Sequence, residues 1–111
     1  MNQGDIHLVN LEPTIHSEVG KTSPGMILSV NAMNQHSPRL IIAPITSKIA
    51  KIYPFEVLIP QGIGGLDKDS KIMLDQIRSL DKRRLRNKIG AVPYDILVKA
   101  SAIAQRLISV E

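Results

Sequence analysis

Three histidines, no cysteine and one basic run bound the chemistry open to this chain. His7, His16 and His36 share no ligand spacing with one another or with paired carboxylates, and no His-Glu-x-x-His pattern occurs, so no metal site or other cofactor is expected. A Gly-x-Ser-x-Gly elbow, a Walker-type loop and a nucleophilic cysteine are also missing, which leaves acyl transfer and nucleotide hydrolysis without support. What remains is hydroxyl, carboxylate and cationic side chains, which can move protons and neutralise phosphate unaided. Five of the seven residues from Lys82 to Lys88 are basic, enough to neutralise phosphates, although such a run also makes an ordinary solvated face. The net charge of +4 favours anionic partners without choosing between nucleic acid, an acidic protein and a membrane surface.

The elements that must position these groups read mainly as strands. Asp5 to Leu11 is near-alternating, with a parity slip at Leu8-Val9 that predicts a bulge. Glu12 to Pro24, with Pro13, Gly20 and Pro24 among small polar residues, reads as a long exposed loop of the kind that carries function. Met26 to Val30, Arg39 to Ile45, Pro54 to Ile59 and Lys71 to Leu80 are short β-type runs bounded by Pro, Gly, Asn or Ser. About five strands in succession, with no helical period between them, predict an antiparallel closed or partly closed barrel. Gly62, Gly64 and Gly65 lack the strand-to-helix setting of a phosphate-binding loop and read as a hairpin. The tail changes period: Pro93 and Asp95 suit a helix start, and Ile96, Leu97, Ala100, Ile103, Ala104, Leu107 and Ile108 form one stripe of a C-terminal amphipathic helix.

At 111 residues the chain reads as one domain, 1–111, without repeats. No export signal is visible at Met1 to Asp5, no stretch is long and apolar enough to span a bilayer, and the lack of cysteine suits a reducing compartment; a cytoplasmic protein with no membrane partner is expected. One Phe and two Tyr nearly exclude an aromatic platform for base stacking, so any nucleic-acid contact would rest on phosphates, hydroxyls and base edges.

Four blocks carry a resemblance. Gly4-Asp5-Ile6, Leu11-Glu12-Pro13-Thr14, Ser17-Glu18 and Gly20-Lys21-Thr22 with Pro24 and Ile27-Leu28-Ser29 form the first. Ala43-Pro44-Ile45-Thr46-Ser47, Tyr53-Pro54-Phe55-Glu56-Val57 and Leu74-Asp75-Gln76-Ile77-Arg78-Ser79-Leu80-Asp81 follow in order. Together they resemble the MazF/PemK/Kid toxins nearly end to end. The resemblance implies an SH3-like small β-barrel of the CcdB/PemK type, acting as a homodimer. It further implies a metal-independent, sequence-specific endoribonuclease that cleaves single-stranded RNA as the toxin of a type II toxin–antitoxin pair. The partners implied are an acidic MazE-like antitoxin and, with that antitoxin, operator DNA.

Cleavage without a metal asks for a base near the ribose 2′-hydroxyl, a cation against the transition state and an acid near the leaving 5′-oxygen, giving a 2′,3′-cyclic phosphate. In the family an arginine of an Arg-Pro pair and a threonine after the third strand do much of this, and the threonine matches Thr46. The arginine position holds Ser23, a short neutral donor where a charged fork is expected. The resemblance therefore implies an attenuated toxin, engineered or naturally decayed. Glu18 and Asp75 are the carboxylates of the implied catalytic set, and Thr14, Ser17, Lys21, Ser47, Lys48, Gln76, Arg78 and Arg83 the RNA-binding residues. A strand-end cap for Thr46 and plain surface polarity for Gln76 and Arg78 are the competing explanations. Two other functions fit the same fold: a gyrase-poisoning toxin needing no catalytic threonine, and a non-catalytic module that binds antitoxin or DNA.

Overall fold

The computed structural model describes residues 1–11 and 22–111. Seven strands and two helices run in the order β1 (Asp5–Asn10), β2 (Thr22–Ile27), α1 (Asn31–His36), β3 (Arg39–Thr46), β4 (Glu56–Ile59), β5 (Ser70–Met73), β6 (Arg78–Asp81), β7 (Leu85–Ala91) and α2 (Tyr94–Leu107). All pairings are antiparallel, in the order β4-β5-β3-β2-β1-β7, with β6 also paired to β3. The sheet is curled and barrel-like without closing, as the mainly β expectation with a terminal helix required.

β3 organises the molecule. One of its edges pairs with β2 through Ile42 to Pro44, while the other pairs first with β6 through Arg39 to Ile42 and then with β5 through Ile45 and Thr46. The hand-over leaves a two-residue gap at Ala43 and Pro44 on that second edge. A proline has no N–H to give a ladder, so the gap is the place on a central strand where Pro44 costs least.

Strand parity sends the core to two faces. Ile6, Met26, Ala43, Ile45, Val57, Ile59 and Ile72 point to one side, where Ala100, Ile103 and Ala104 of α2 cover them. Val9, Ile27, Leu40, Ile42 and Leu80 form a smaller cluster on the other side. The helical stripe is only partly used, because Leu107 and Ile108 at its end are exposed.

Several expectations need correction. Thr22 to Pro24 are strand, not loop, and β2 ends at Ile27, before Leu28 to Val30. The run read as one strand from Lys71 to Leu80 is two strands around a 3-10 turn at Leu74–Gln76, because β3 passes from one partner to the next there and Leu74 turns into the core. The irregularity lies on β7, and twice: it places two steps (Gly90 to Lys88) against one on β1 (Ile6 to His7), then three (Lys88 to Leu85) against two (His7 to Val9). Neither β7 nor α1 was anticipated. β7 hides in the basic run, and α1 is a six-residue helix with a single buried residue, Asn34, whose amide donates to the Ser29 carbonyl at 2.9 Å.

Candidate active site

The hydrogen-bonded register of β2 against β3 runs from Ile27↔Ile42 to Gly25↔Pro44 and stops. Beyond it a cavity of about 200 Å³ opens, lined by Pro24, Ile45, Thr46, Ser47, Leu66, Asp67, Lys68 and Ser70. Continued for two residues, the same register sets Ser23 opposite Thr46, and parity leaves both on the face that carries Ile27 and Ile42. Ser23 itself is exposed and does not line the cavity; its neighbour Pro24 does.

Thr46 closes β3 half-buried, and its Oγ1 accepts the Lys48 amide at 3.1 Å. An accepted bond orders the oxygen and leaves the hydroxyl proton available to a ligand. Ser47 and Lys48 follow on the exposed rim.

Across from Thr46 in the ladder stands Lys71, a cation with almost no exposed side chain. Its ammonium donates to Glu56 Oε1 at 2.9 Å and to the Lys51 carbonyl at 2.8 Å, and lies 5.7 Å from the Tyr53 ring centre. Glu56 Oε1 also accepts the Tyr53 amide at 2.8 Å. Burial pushes the Glu56 carboxyl up, but the Tyr53 amide and the Lys71 ammonium outweigh it and hold the group below the ordinary carboxylate range. Two buried charges therefore clamp the segment between Thr46 and β4. On that segment Tyr53 and Phe55 stack at 5.3 Å, with Lys51 Nζ 4.9 Å from the Tyr53 centre. The three-aromatic composition hid an exposed tyrosine supported by cations.

The other expected residues scatter. Asp75 and Gln76 sit exposed on the turn beside the β3 gap, where the Gln76 amide approaches the Met73 sulfur at 3.5 Å. Arg78 is exposed on β6 opposite Ile42, on the same face as Thr46. Arg83 belongs elsewhere: it follows the strand paired with the opposite end of β3 and is engaged by Asp81 at 3.1 Å. Its guanidinium holds the Asp81 carboxyl below its usual value. Thr14, Ser17, Glu18 and Lys21 lie outside the described residues.

Asp67, Lys68 and Ser70 line the cavity unanticipated, because nothing local marks Leu66 to Ser70 as close to Thr46. The Gly62, Gly64 and Gly65 cluster was the available signal. All three glycines have positive φ, and a Cβ on Gly65 would fall 1.8 Å from the Ile89 carbonyl oxygen, so the loop is seated against β7 in a way only glycine allows. No three His, Asp or Glu side chains gather among the described residues in a way that could hold a metal ion. None of the helices among these residues is long and apolar enough to cross a membrane.

Comparison with known proteins agrees with this architecture. Residues 2–108 match the family described as the PemK-like, MazF-like toxin of type II toxin-antitoxin system. Over 90 residues, 80% of this chain and 75% of the relative, the sequence is 43% identical to the Endoribonuclease MazF of Staphylococcus saprophyticus. Among solved structures, MazE-MazF from Deinococcus radiodurans superposes with a TM-score of 0.80 at 28% identity, covering 100% of this chain and 97% of that one. MazF alone from the same organism gives 0.79 at 29%, covering 99% and 97%. A mycobacterial endoribonuclease in complex with its cognate antitoxin shares the fold at 0.80 and 19% identity, covering 100% and 97%.

Proposed function

The chain belongs to the PemK-like, MazF-like toxins of type II toxin–antitoxin systems, and we propose that it cleaves single-stranded RNA, sequence-specifically and without a metal ion, at the cavity beyond the end of the β2–β3 ladder. The observation that carries this reading is the meeting of Thr46 and Ser47 with a cation-bearing loop in one open cavity. The ribose 2′-oxygen forms a bond to phosphorus, the bond from phosphorus to the 5′-oxygen breaks, and the products are a 2′,3′-cyclic phosphate and a 5′-hydroxyl. Thr46 donates to a phosphate oxygen with the proton that its accepted Lys48 bond leaves free. Glu18 and Asp75 are the carboxylates proposed to take the proton from the 2′-hydroxyl and to return a proton to the leaving 5′-oxygen. Thr14, Ser17, Lys21, Lys48, Gln76 and Arg78 track the strand, and Arg83 contributes field only, since Asp81 occupies it.

Ser23 weakens this site. It takes the place of an arginine at the position facing Thr46, and the loss of one charged, oriented donor lowers the rate on the order of a hundredfold to a thousandfold. The partners proposed are a second copy of the chain and an acidic antitoxin of the MazE type, for which the antitoxin complexes among the related structures are the support. The toxin–antitoxin complex would bind operator DNA, and the cell compartment proposed is the cytoplasm.

The test is cleavage of a single-stranded RNA with chelator present. Ser23→Arg is expected to raise the rate at least about tenfold, with cyclic-phosphate ends and unchanged cut sites. If neither the protein nor Ser23→Arg cuts RNA, the proposal is wrong.

A further inference from the structure

We infer that Lys68 supplies the positive charge that Ser23 does not, contacting the scissile phosphodiester from the wall of the cavity opposite β2. The inference rests on the endoribonuclease reading above and adds a residue to it.

The transition state of phosphodiester transesterification gathers negative charge on the non-bridging oxygens, and a site without a metal needs a cation there. Four of the basic side chains near the cavity can be ranked by what already holds them. Lys71 is buried and bound to Glu56 and to the Lys51 carbonyl. Lys51 lies over the Tyr53 ring. Lys48 stands beside the cavity without lining it. Lys68 lines it, is exposed, and has no side-chain hydrogen bond or ion pair among the described residues.

The backbone beneath Lys68 is held on four sides. Leu66 is buried, the Ser70 hydroxyl donates to the Lys68 carbonyl at 2.9 Å, and Asp69 Oδ1 accepts the Gln61 amide at 2.7 Å. Gly64 and Gly65 press the loop onto Ile6 and the Ile89–Gly90 backbone. A long cationic stem rising from a fixed base into the cavity that Thr46 also lines is a geometry that favours a phosphate in one position. Ammonium is a point charge without the arginine fork, so it recovers part of the lost catalysis and not all.

Asp67 shares the cavity, and its carboxylate opposes an incoming phosphate. The arrangement therefore makes a signed prediction at two neighbouring positions. Lys68→Ala should weaken RNA binding, and Asp67→Asn should strengthen it.

Two measurements on the full chain decide the matter. In single-turnover cleavage of a single-stranded RNA, Lys68→Ala should lower the rate about tenfold to a hundredfold, with Lys68→Arg close to the parent or above it. In the Ser23→Arg background the same Lys68→Ala change should cost under about threefold, because the guanidinium supplies the charge. With an uncleavable RNA carrying 2′-deoxyribose at the cut site, Lys68→Ala should reduce the salt slope of binding by about one. Unchanged cleavage and salt slope in Lys68→Ala, or a loss confined to Lys21→Ala, would overturn the role of Lys68 while leaving the endoribonuclease reading intact. Absence of cleavage by every variant, Ser23→Arg included, would overturn both. Lys68→Ala should melt with the parent, since its side chain is exposed and makes no hydrogen bond or ion pair among the described residues.

Discussion

Lys71 lies inside the protein with its ammonium bound to Glu56 and to the Lys51 carbonyl, whereas Lys68, three residues earlier, reaches an open cavity with its charge uncommitted among the described residues. The two side chains are chemically identical, and nothing in the local sequence Asp67-Lys68-Asp69-Ser70-Lys71 announces which one will be structural. Their difference shows that a cation's role follows from its desolvation. A buried ammonium must be paired and then holds a loop in place, while an exposed one is weakly bound to its surroundings and free to meet a ligand.

The comparison breaks most sharply at Lys71. Lys71→Met leaves the Glu56 carboxylate buried without its cation and should cost about 3–5 kcal/mol, whereas Lys71→Met with Glu56→Leu should recover most of the loss. Chemical denaturation of the three proteins measures it; equal destabilisation of the single and double variants would show that the Lys71–Glu56 pair is not a clamp. Lys68→Ala, by contrast, should stay within about 0.5 kcal/mol of the parent.

The loop that carries Lys68 offers a second comparison. Gly65→Ala combines a positive φ with a clash against the Ile89 carbonyl oxygen and should cost more than about 2 kcal/mol. Gly62→Ala shares the positive φ but faces open space, so only the backbone preference, about 1 kcal/mol, is lost. Melting temperatures of the two variants that coincide would mean the loop is not seated against β7.

The smallest effect is graded with pH. Glu56 has its carboxyl held below the usual value in the fold, so the unfolded chain binds its proton first as the solution is acidified. The clamp's contribution is then complete above the ordinary carboxylate range and disappears as pH falls through the folded value. Stability of the parent relative to Glu56→Gln, followed from pH 7 to pH 3, should narrow towards the acid end. A gap that widens on acidification contradicts the sign. Asp81 shifts in the same direction beside Arg83, but the pair is in open solvent and should add little to this profile.

Local chemistry made much of the fold legible. The near-alternation of Asp5 to Leu11, the β-type run Arg39 to Ile45 and the change of period after Pro93 lie in neighbouring residues, and the observed β1 (Asp5–Asn10), β3 (Arg39–Thr46) and α2 match them to within a residue or so. The run from Lys71 to Leu80 misled because its division depends on β3 passing from one partner to another, a long-range event with no trace in the run itself. β7 was concealed in the same way, its charges being those of an edge strand against β1.

For the candidate site the division is similar. The amino-acid order by itself determined the residue types: a threonine at the end of a β-type run, a serine before Pro24 where the family resemblance implies a cation, and no cysteine or paired-histidine spacing. Tertiary structure alone decided that Lys68 lines the cavity with Thr46, that Lys71 is locked to Glu56, and that Arg83 is held by Asp81 at the far end of β3. The physical reason is that periodicity and turn chemistry act over a few bonds, whereas register and desolvation are set by segments that meet only when the sheet curls.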